Sequence, residues 1–462
     1  MQNADNPAVH TALGTVYSLQ ERFDKSWHHW ESALQLSPHD WSLRARLANS
    51  YADQEQFQPS LDHCSYLIEH ESNNPYALFQ SATAYLKGGH IETALTLFHT
   101  ITTLMSNPIS ALYNIGYTLK TAGRLDEALS FYDAALALKP DYNAAHLARG
   151  FTLLQKGDFI NGWNQHERHL KIAKKNAEGL RDLLKTNTIA GKHIVLLYEG
   201  GLGDTIMFIR YAKRFKDMGA HVTCMVQKPL VPLFSNHPYV DDVRTIQEGY
   251  PAQRDATATL MTLPAIFCDT ENTLPREIPY VYPNEQLVSY WKKHIVPHKK
   301  LHIGLCWQSD VYNDKSRLPI ARRGMPLAFW HSLLQVPSVG VYSLQRFDGV
   351  EQIKELPSNC ILHVFEDMDT KNGSFMDTTA LIMNLDLVIS TDTAIAHLAG
   401  ALGKPVILLL PYATDWRWIC DRTDSPWYPT MRIFKQSKPF DWQQVVEEVH
   451  AYLMEQYELS IG

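Results

Sequence analysis

A repeat of 34 residues runs through the first third of this chain, and it limits the fold more than any other feature. Leu13-Gly14, Tyr17, Trp30, Ala33 and Pro38 are answered by Ile115-Gly116, Leu119, Tyr132, Ala135 and Pro140, an offset of 102 residues, three times 34. Ala48 with Tyr51 and Ala82 with Tyr85 keep the register between them, with Cys64 and Phe98 at the bulky position of the second and third copies. A fifth copy starts at Arg149-Gly150 and Leu153. Small residues (Gly14, Ala48, Ala82, Gly116, Gly150) let two antiparallel helices approach, and large ones (Tyr17, Trp30, Phe98, Tyr132) fill the gaps between pairs. Pro38 and Pro140 end helices before the next pair begins. One such pair cannot bury its apolar face alone, so the copies must stack.

The pattern resembles tetratricopeptide repeats over about residues 6–172. That resemblance implies an α-helical array with a concave face, and a protein or peptide partner in its groove. The alternative is a spacer or a platform through which the chain oligomerises. Trp27, His28, His29 and Trp30 invite a metal reading, but adjacent histidines on a helix point in different directions.

After the array the periodicity changes. "HIVLLYE" (193–199), "HVTCMVQ", "LHIGLCWQS" (301–309), "VGVYSLQ", "CILHVF" and "VILLL" (406–410) are buried-type strands. "TIMFIRYAKRFKDMG", "PLAFWHSLL" and "DTTALIMNL" are helices between them, and "DWQQVVEEVHAYLMEQY" is a final amphipathic helix. "LMTLPAIF" is a strand or a short helix. Strands alternating with helices predict parallel sheets. The expected organisation is a repeat array over 1–172, a linker over 173–190, two Rossmann-like halves over 191–295 and 296–440, and a C-terminal helix over 441–462.

Composition narrows the function. A net charge of -7 gives no electrostatic footprint for nucleic acid. Six cysteines without a CxxC pair suggest neither a zinc ribbon nor a redox motif, and fit a reducing compartment. "MQNADNPAVH" has neither a charged nor an apolar leader region, and no apolar run is long enough for a membrane span. The cytoplasm is therefore the expected location.

Two strand-to-helix turns carry the candidate chemistry. "EGGLGDT" (199–205) follows a strand, where ligands bind in open α/β sheets. Gly200, Gly201 and Gly203 permit close backbone approach, and Asp204 falls at the helix start, where capping alone also explains it. The spacing is not a dinucleotide fingerprint. "ISTDTAIAHLAG" (389–400) puts Ser390, Thr391 and Thr393 hydroxyls at a helix N-terminus that can face an anion. Asp392 there suits a cap or sugar hydroxyls better than bare phosphate, and His397 lies one turn on. Beyond the strand at Trp307, Gln308 and Ser309 stand at its end, and Lys315 or Arg317 could neutralise a diphosphate. "LLPYATDWRW" and "SPWYP" are aromatic loops that either stack a base or pack. "DMD" (367–369) looks like a metal-binding triplet by coincidence, so no metal site is expected.

"GGLGDTIMFIRYAKRF", "IGLCWQS", "RGMPLAFWHSLL", "VYSLQ" and "DTTALIMNLDLVISTDTAIAHLAGALGKPVILLLPYATDWRW" together resemble the lipopolysaccharide heptosyltransferases (glycosyltransferase family 9). The match is to their tetratricopeptide-fused bacterial branch and covers most of 192–440. It implies a GT-B fold, two Rossmann-like domains with a cleft between them, and an inverting, metal-independent transferase without a cofactor. A nucleotide-diphosphate sugar would be the donor, bound in the second half, with the first half on the acceptor side. Carried over by motif, Asp204 is the general base and Gly200, Gly201 and Gly203 form the acceptor-side loop. Ser390, Thr391, Asp392, Thr393, Ala394, His397, Trp307, Gln308, Lys315, Arg317 and Gln345 are the donor-binding set. A protein acceptor recruited by the repeats completes this reading. Its rivals are a catalytically silent repeat-based adaptor and a nucleotide-sugar epimerase.

Overall fold

The computed structural model describes residues 6–169, 179–310, 314 and 317–459. They form two compact units, residues up to Ala145 with the short segment ending at Arg322, and His146–Asp314 with Arg323 onward.

The first unit is built from α1 (Pro7–Leu19), α2 (Phe23–Leu36), α3 (Trp41–Asp53), α4 (Phe57–His70), α5 (Pro75–Lys87), α6 (Ile91–Leu104), α7 (Ile109–Thr121) and α8 (Leu125–Leu138). Consecutive helices pair because the repeat glycines leave no room for a side chain. A Cβ on Gly14 would lie 2.3 Å from Cδ1 of Trp30, and one on Gly116 2.7 Å from Cε1 of Tyr132. Trp30, Phe98 and Tyr132 are buried as the repeat predicts. The first unit also includes the segment before Arg322, whose guanidinium donates to Glu55 Oε1 at 2.5 Å and to the Asp53 carbonyl at 2.8 Å.

The fifth copy, α9 (Asn143–Lys156) and α10 (Phe159–His169), crosses the expected pattern. From His146 on, it packs with the α/β part rather than with the array. The reason is chemical. Trp163 stands edge-on to Phe208 and Trp416, Phe151 stacks on Trp416, and the Gln155 carbonyl accepts from the Cys420 amide. The compact units therefore divide ahead of the boundary expected at 172. The expected linker falls partly outside the described residues and is helical over 179–185.

Two parallel sheets follow. β1 (His193–Leu197), β2 (His221–Met225), β3 (Asp242–Arg244) and β4 (Ala256–Thr259) lie in the order β3-β2-β1-β4. β5 (Leu301–Cys306), β6 (Val339–Ser343), β7 (Leu387–Thr391), β8 (Val406–Leu410) and β9 (Met431–Lys435) lie in the order β6-β5-β7-β8-β9. β6, β7 and β8 are buried along their whole length, which is why they read as unbroken apolar runs. "CILHVF" makes one bridge, Tyr342 with His363, and is not a strand. "LMTLPAIF" is short helix, and "MRIFK" is a strand the apolar pattern did not announce. The helix expected from Thr205 to Gly219 is broken at Ile209–Tyr211, where Arg210 turns inward. One apolar core runs through both halves, from Leu196 and Phe208 to Leu398 and Tyr428.

Candidate active site

Both turns singled out in the sequence stand at the C-terminal ends of parallel strands, the ligand side of such sheets. The helix Leu202–Phe208 follows β1, and the helix Ala394–Ala401 follows β7. They pack against each other, and Gly203 makes this close approach feasible. A Cβ on Gly203 would lie 2.7 Å from Cδ2 of His397. Gly200 has φ +78°, a left-handed conformation that glycine adopts without strain.

Asp204 is fully engaged. Its Oδ2 accepts the Gly201 N–H at 2.8 Å, capping the helix, and its Oδ1 accepts from Arg417 Nη2. Arg417 also pairs with Asp415 at 2.5 Å. Burial works against the Arg417 charge, but Asp204, Asp415 and Asp392 outweigh it and hold its pKa above the usual guanidinium value. Arg323 forms a second centre of the same kind. Its Nη1 lies 3.6 Å from Asp392 Oδ2, and its Nε lies 3.7 Å from Asp314 Oδ1. The Asp314 carboxylate also accepts the backbone N–H of Arg323 at 2.9 Å. Burial again opposes the charge, and Asp392, Asp314 and Asp415 raise its pKa.

Glu199 lies at the start of the loop after β1, on the same side. Its Oε2 is sealed from water and has no hydrogen-bond partner among the described residues. Burial raises its pKa, the Thr259 hydroxyl lowers it, and the Asp204 charge adds to the rise.

The Ser390–His397 stretch is held by its own hydroxyls. Thr393 caps the helix by accepting the Ile395 N–H at 3.2 Å, and Ser390 Oγ lies 2.9 Å from Thr393 Oγ1. Cys306 Sγ bridges Thr393 Oγ1 and Gln345 Oε1 at 3.7 and 3.4 Å. Thr393 and Ala394 are half-buried at the helix entrance, while Thr391 Oγ1 is buried without a partner among the described residues. His397 is buried, stacks on Trp418, and its Nδ1 lies 2.9 Å from the Tyr428 hydroxyl. Burial pushes its imidazole down to about 4.

The remaining candidates divide differently. Gln345 accepts the amides of Trp307 and Gln308 at 3.0 and 2.9 Å and donates to the Gln308 and Asp348 carbonyls, so its side chain braces the loops. Trp307 is buried, with Nε1 donating to the Gly349 carbonyl. Gln308 is half-buried beside Gly324 and Gly349. Lys315 lies outside the described residues. Arg317 belongs to the repeat unit, where its charge reaches Tyr117. The cation beside Asp392 is Arg323, not Arg317. Trp416, Trp418, Trp427 and Tyr428 are buried packing residues and present no face for a base. Asp369 of "DMD" caps the helix Met376–Met383 by accepting from Asp377 and Thr378 amides.

Sequence reasoning missed Arg417, Arg323 and Arg210. Arg210 donates to the Met207, Pro275 and Trp427 carbonyls and to the Tyr280 hydroxyl, tying the two halves together. The available signal was an arginine between two tryptophans, Trp416-Arg417-Trp418, since such a neighbourhood is buried and a buried cation needs acids.

In the repeat unit, a groove of about 820 Å³ is lined by Trp30, Trp41, Arg46, Asn49, Asp53 and Tyr76 among others. No helix among the described residues is long and apolar enough to cross a membrane.

Fold and site together define a helical-repeat array joined to a two-sheet α/β unit with ion-paired turns at the strand ends. Comparison with known families matches one segment of each part: residues 109–142 match the tetratricopeptide repeat, and residues 373–447 match glycosyltransferase family 9 (heptosyltransferase). The chain is 26% identical over 369 residues to protein FlbA of Caulobacter vibrioides, covering 73% of this chain and 60% of FlbA. It thus spans less than two thirds of that relative. Among solved structures it is similar to the E. coli ADP-heptose lipopolysaccharide heptosyltransferase II, at 14% identity and a TM-score of 0.41, covering 57% of this chain and 99% of that one. It is also similar to TTC0263, a tetratricopeptide-repeat protein of Thermus thermophilus, at 20% identity and a TM-score of 0.30, covering 39% of this chain and 97% of that one.

Proposed function

We propose that this protein is a cytoplasmic glycosyltransferase that moves a sugar from a nucleotide-diphosphate donor to a protein acceptor recruited by its repeats. The observation that carries this is the Thr393-capped helix entrance in the family 9 segment, with Arg323 held beside Asp392. A helix N-terminus and a buried cation together suit a departing diphosphate. Arg323 and Arg417, once a diphosphate competes for their carboxylate partners, would supply the positive charge that a metal ion supplies in other transferases, and this favours a metal-independent displacement. The groove, with Trp41 and the exposed Tyr76 on its wall, supports a peptide acceptor, since aromatic side chains offer contact area at small entropic cost.

A second reading, a silent adaptor, has one observation in its favour. Each site arginine is already satisfied by carboxylates, so neither presents an uncompensated charge. Thermal-shift assays of the full chain with UDP-, GDP-, ADP- and dTDP-linked sugars separate the two. A donor at about a hundredfold its Kd adds about 2.7 kcal/mol of stability. Stabilisation that disappears in Arg323→Gln supports the transferase, and no stabilisation by any of the four classes supports the adaptor.

A further inference from the structure

We propose that the outer face of α1 is an interface through which two copies of this chain pair, antiparallel and two-fold. The proposal is independent of the transferase reading. Val9, Ala12, Leu13 and Val16 recur at helical spacing and form one apolar stripe along α1. Ala12 is exposed, and Leu13 and Val16 are 39% and 48% exposed. The same register positions are covered elsewhere in the array. Val9 is answered by Leu43, Ala77 and Ala111, and Leu13 by Leu47, Ser81 and Ile115, all of them buried. Val16 is answered by Ala84 and Thr118, also buried. In those copies the preceding pair supplies the cover, since α4 packs on α5 and α6 packs on α7. Among the described residues no helix precedes α1, so its stripe continues the interface that joins one repeat to the next and stands open.

Two features point to a second copy as the occupant. The stripe is self-complementary, because the steps from Val9 to Ala12, Leu13 and Val16 read the same from either end. An antiparallel copy therefore sets Val9 against the second copy's Val16, and Ala12 against its Leu13, as a two-fold contact between identical faces requires. The second feature is charge. α1 carries no Asp, Glu, Lys or Arg, whereas α3, α5 and α7 each carry a lysine or an arginine. A repeat helix that faces only water keeps a polar outer side, and α1 lacks one. No like charges oppose the approach of an identical face. The charged rim begins beyond the helix, at Glu21 and at Arg22, whose guanidinium lies over the Tyr17 ring. One helix face is small for an interface, so the dimer depends on concentration.

Sedimentation velocity of the full chain from about 1 to 100 μM, the range suited to a small interface, tests this. The wild type is expected to pass from monomer to dimer across that range. Val16→Glu and Ala12→Glu each place a carboxylate in the stripe twice per dimer, and each should weaken dimerisation by about tenfold or more. Ala12 is exposed and glutamate is a good helix former, so Ala12→Glu decides the matter if circular dichroism shows that Val16→Glu disturbs the array. Leu138→Glu is the control, at a leucine on α8 that is 56% exposed. It should leave the dimer constant within about twofold of the wild type, as surface changes away from an interface do. A wild type that stays monomeric throughout overturns the proposal and assigns the stripe to a different partner. A dimer that Ala12→Glu and Val16→Glu both retain at the wild-type constant overturns it, and so does one that Leu138→Glu weakens as much as they do.

Discussion

Replacing Arg417 by methionine isolates the charge pairing between the turn after β1 and the loop after β8. The side chains of Arg417 and Asp204 are only 13% and 15% exposed, so solvent does little to screen them. Removing one member of a buried pair typically costs about 3–5 kcal/mol, because the partner charge stays behind without compensation. Asp204 would keep the Gly201 N–H, and Asp415, at 18% exposure, would lose its own guanidinium contact as well. For a unit of this size about 2 °C is lost per kcal/mol, so Arg417→Met should lower the melting transition of the α/β unit by about 6–10 °C. Scanning calorimetry of the full chain reads that transition beside that of the repeat array. The decisive sample is the double variant Arg417→Met with Asp204→Asn. Asparagine still accepts the Gly201 N–H but carries no charge, so the double variant should recover about 2 kcal/mol relative to the sum of the singles. Losses that add to within about 0.5 kcal/mol would mean the two groups do not interact, and the pairing would not be what orders this turn.

Two further outcomes follow from the same packing. The His397 imidazole has a pKa of about 4 in the fold against an ordinary 6.5, so the unfolded chain binds its proton first as pH falls. Stability should therefore be full above about pH 6.5 and decline toward about pH 4, by on the order of 3 kcal/mol from this group. His397→Gln should flatten that part of the Tm–pH curve, and an unchanged slope would show that His397 does not titrate there. Gly203→Ala drives a methyl to 2.7 Å from the His397 ring, a clash of the kind that costs about 1–3 kcal/mol. Its urea midpoint should fall while Gly201→Ala, whose nearest neighbour would lie at 3.7 Å, falls by less. Equal losses would show that the close helix contact is not what demands glycine at 203.

The repeat array and the long central strands were legible because both rest on local patterns. Gly14 against Trp30 and Gly116 against Tyr132 are contacts within one repeat, so the 34-residue spacing reports them directly. β6, β7 and β8 are buried on both faces, so their apolar runs could be read without knowing their partners. The fifth repeat copy shows where this logic stops. Its helices obey the period, yet Phe151 and Trp163 find Trp416 far along the chain, and the pair joins the other unit. Periodicity gives a helix its apolar face and does not say what will cover it.

The site divides along the same line. Asp204 and Thr393 are helix caps, and capping is a relation between neighbours, so sequence alone could point to both positions. Their chemical state is a different matter, because distant residues set it. Arg417 is 213 positions from Asp204, and Arg323 is likewise remote in sequence from Asp392. Sequence spacing favoured Lys315 or Arg317 as the cation, since they follow the Trp307 strand most closely. Among the described residues it is Arg323 that stands beside Asp392, its own backbone N–H fixed by Asp314, which turns the chain back toward the Asp392 carboxylate. The same reasoning separates Glu199 from Asp204. Both acids lie in the one short stretch "EGGLGDT" and look interchangeable there, but Arg417 pairs with Asp204. The cation therefore decides which of the two carboxylates is ion-paired and which is not.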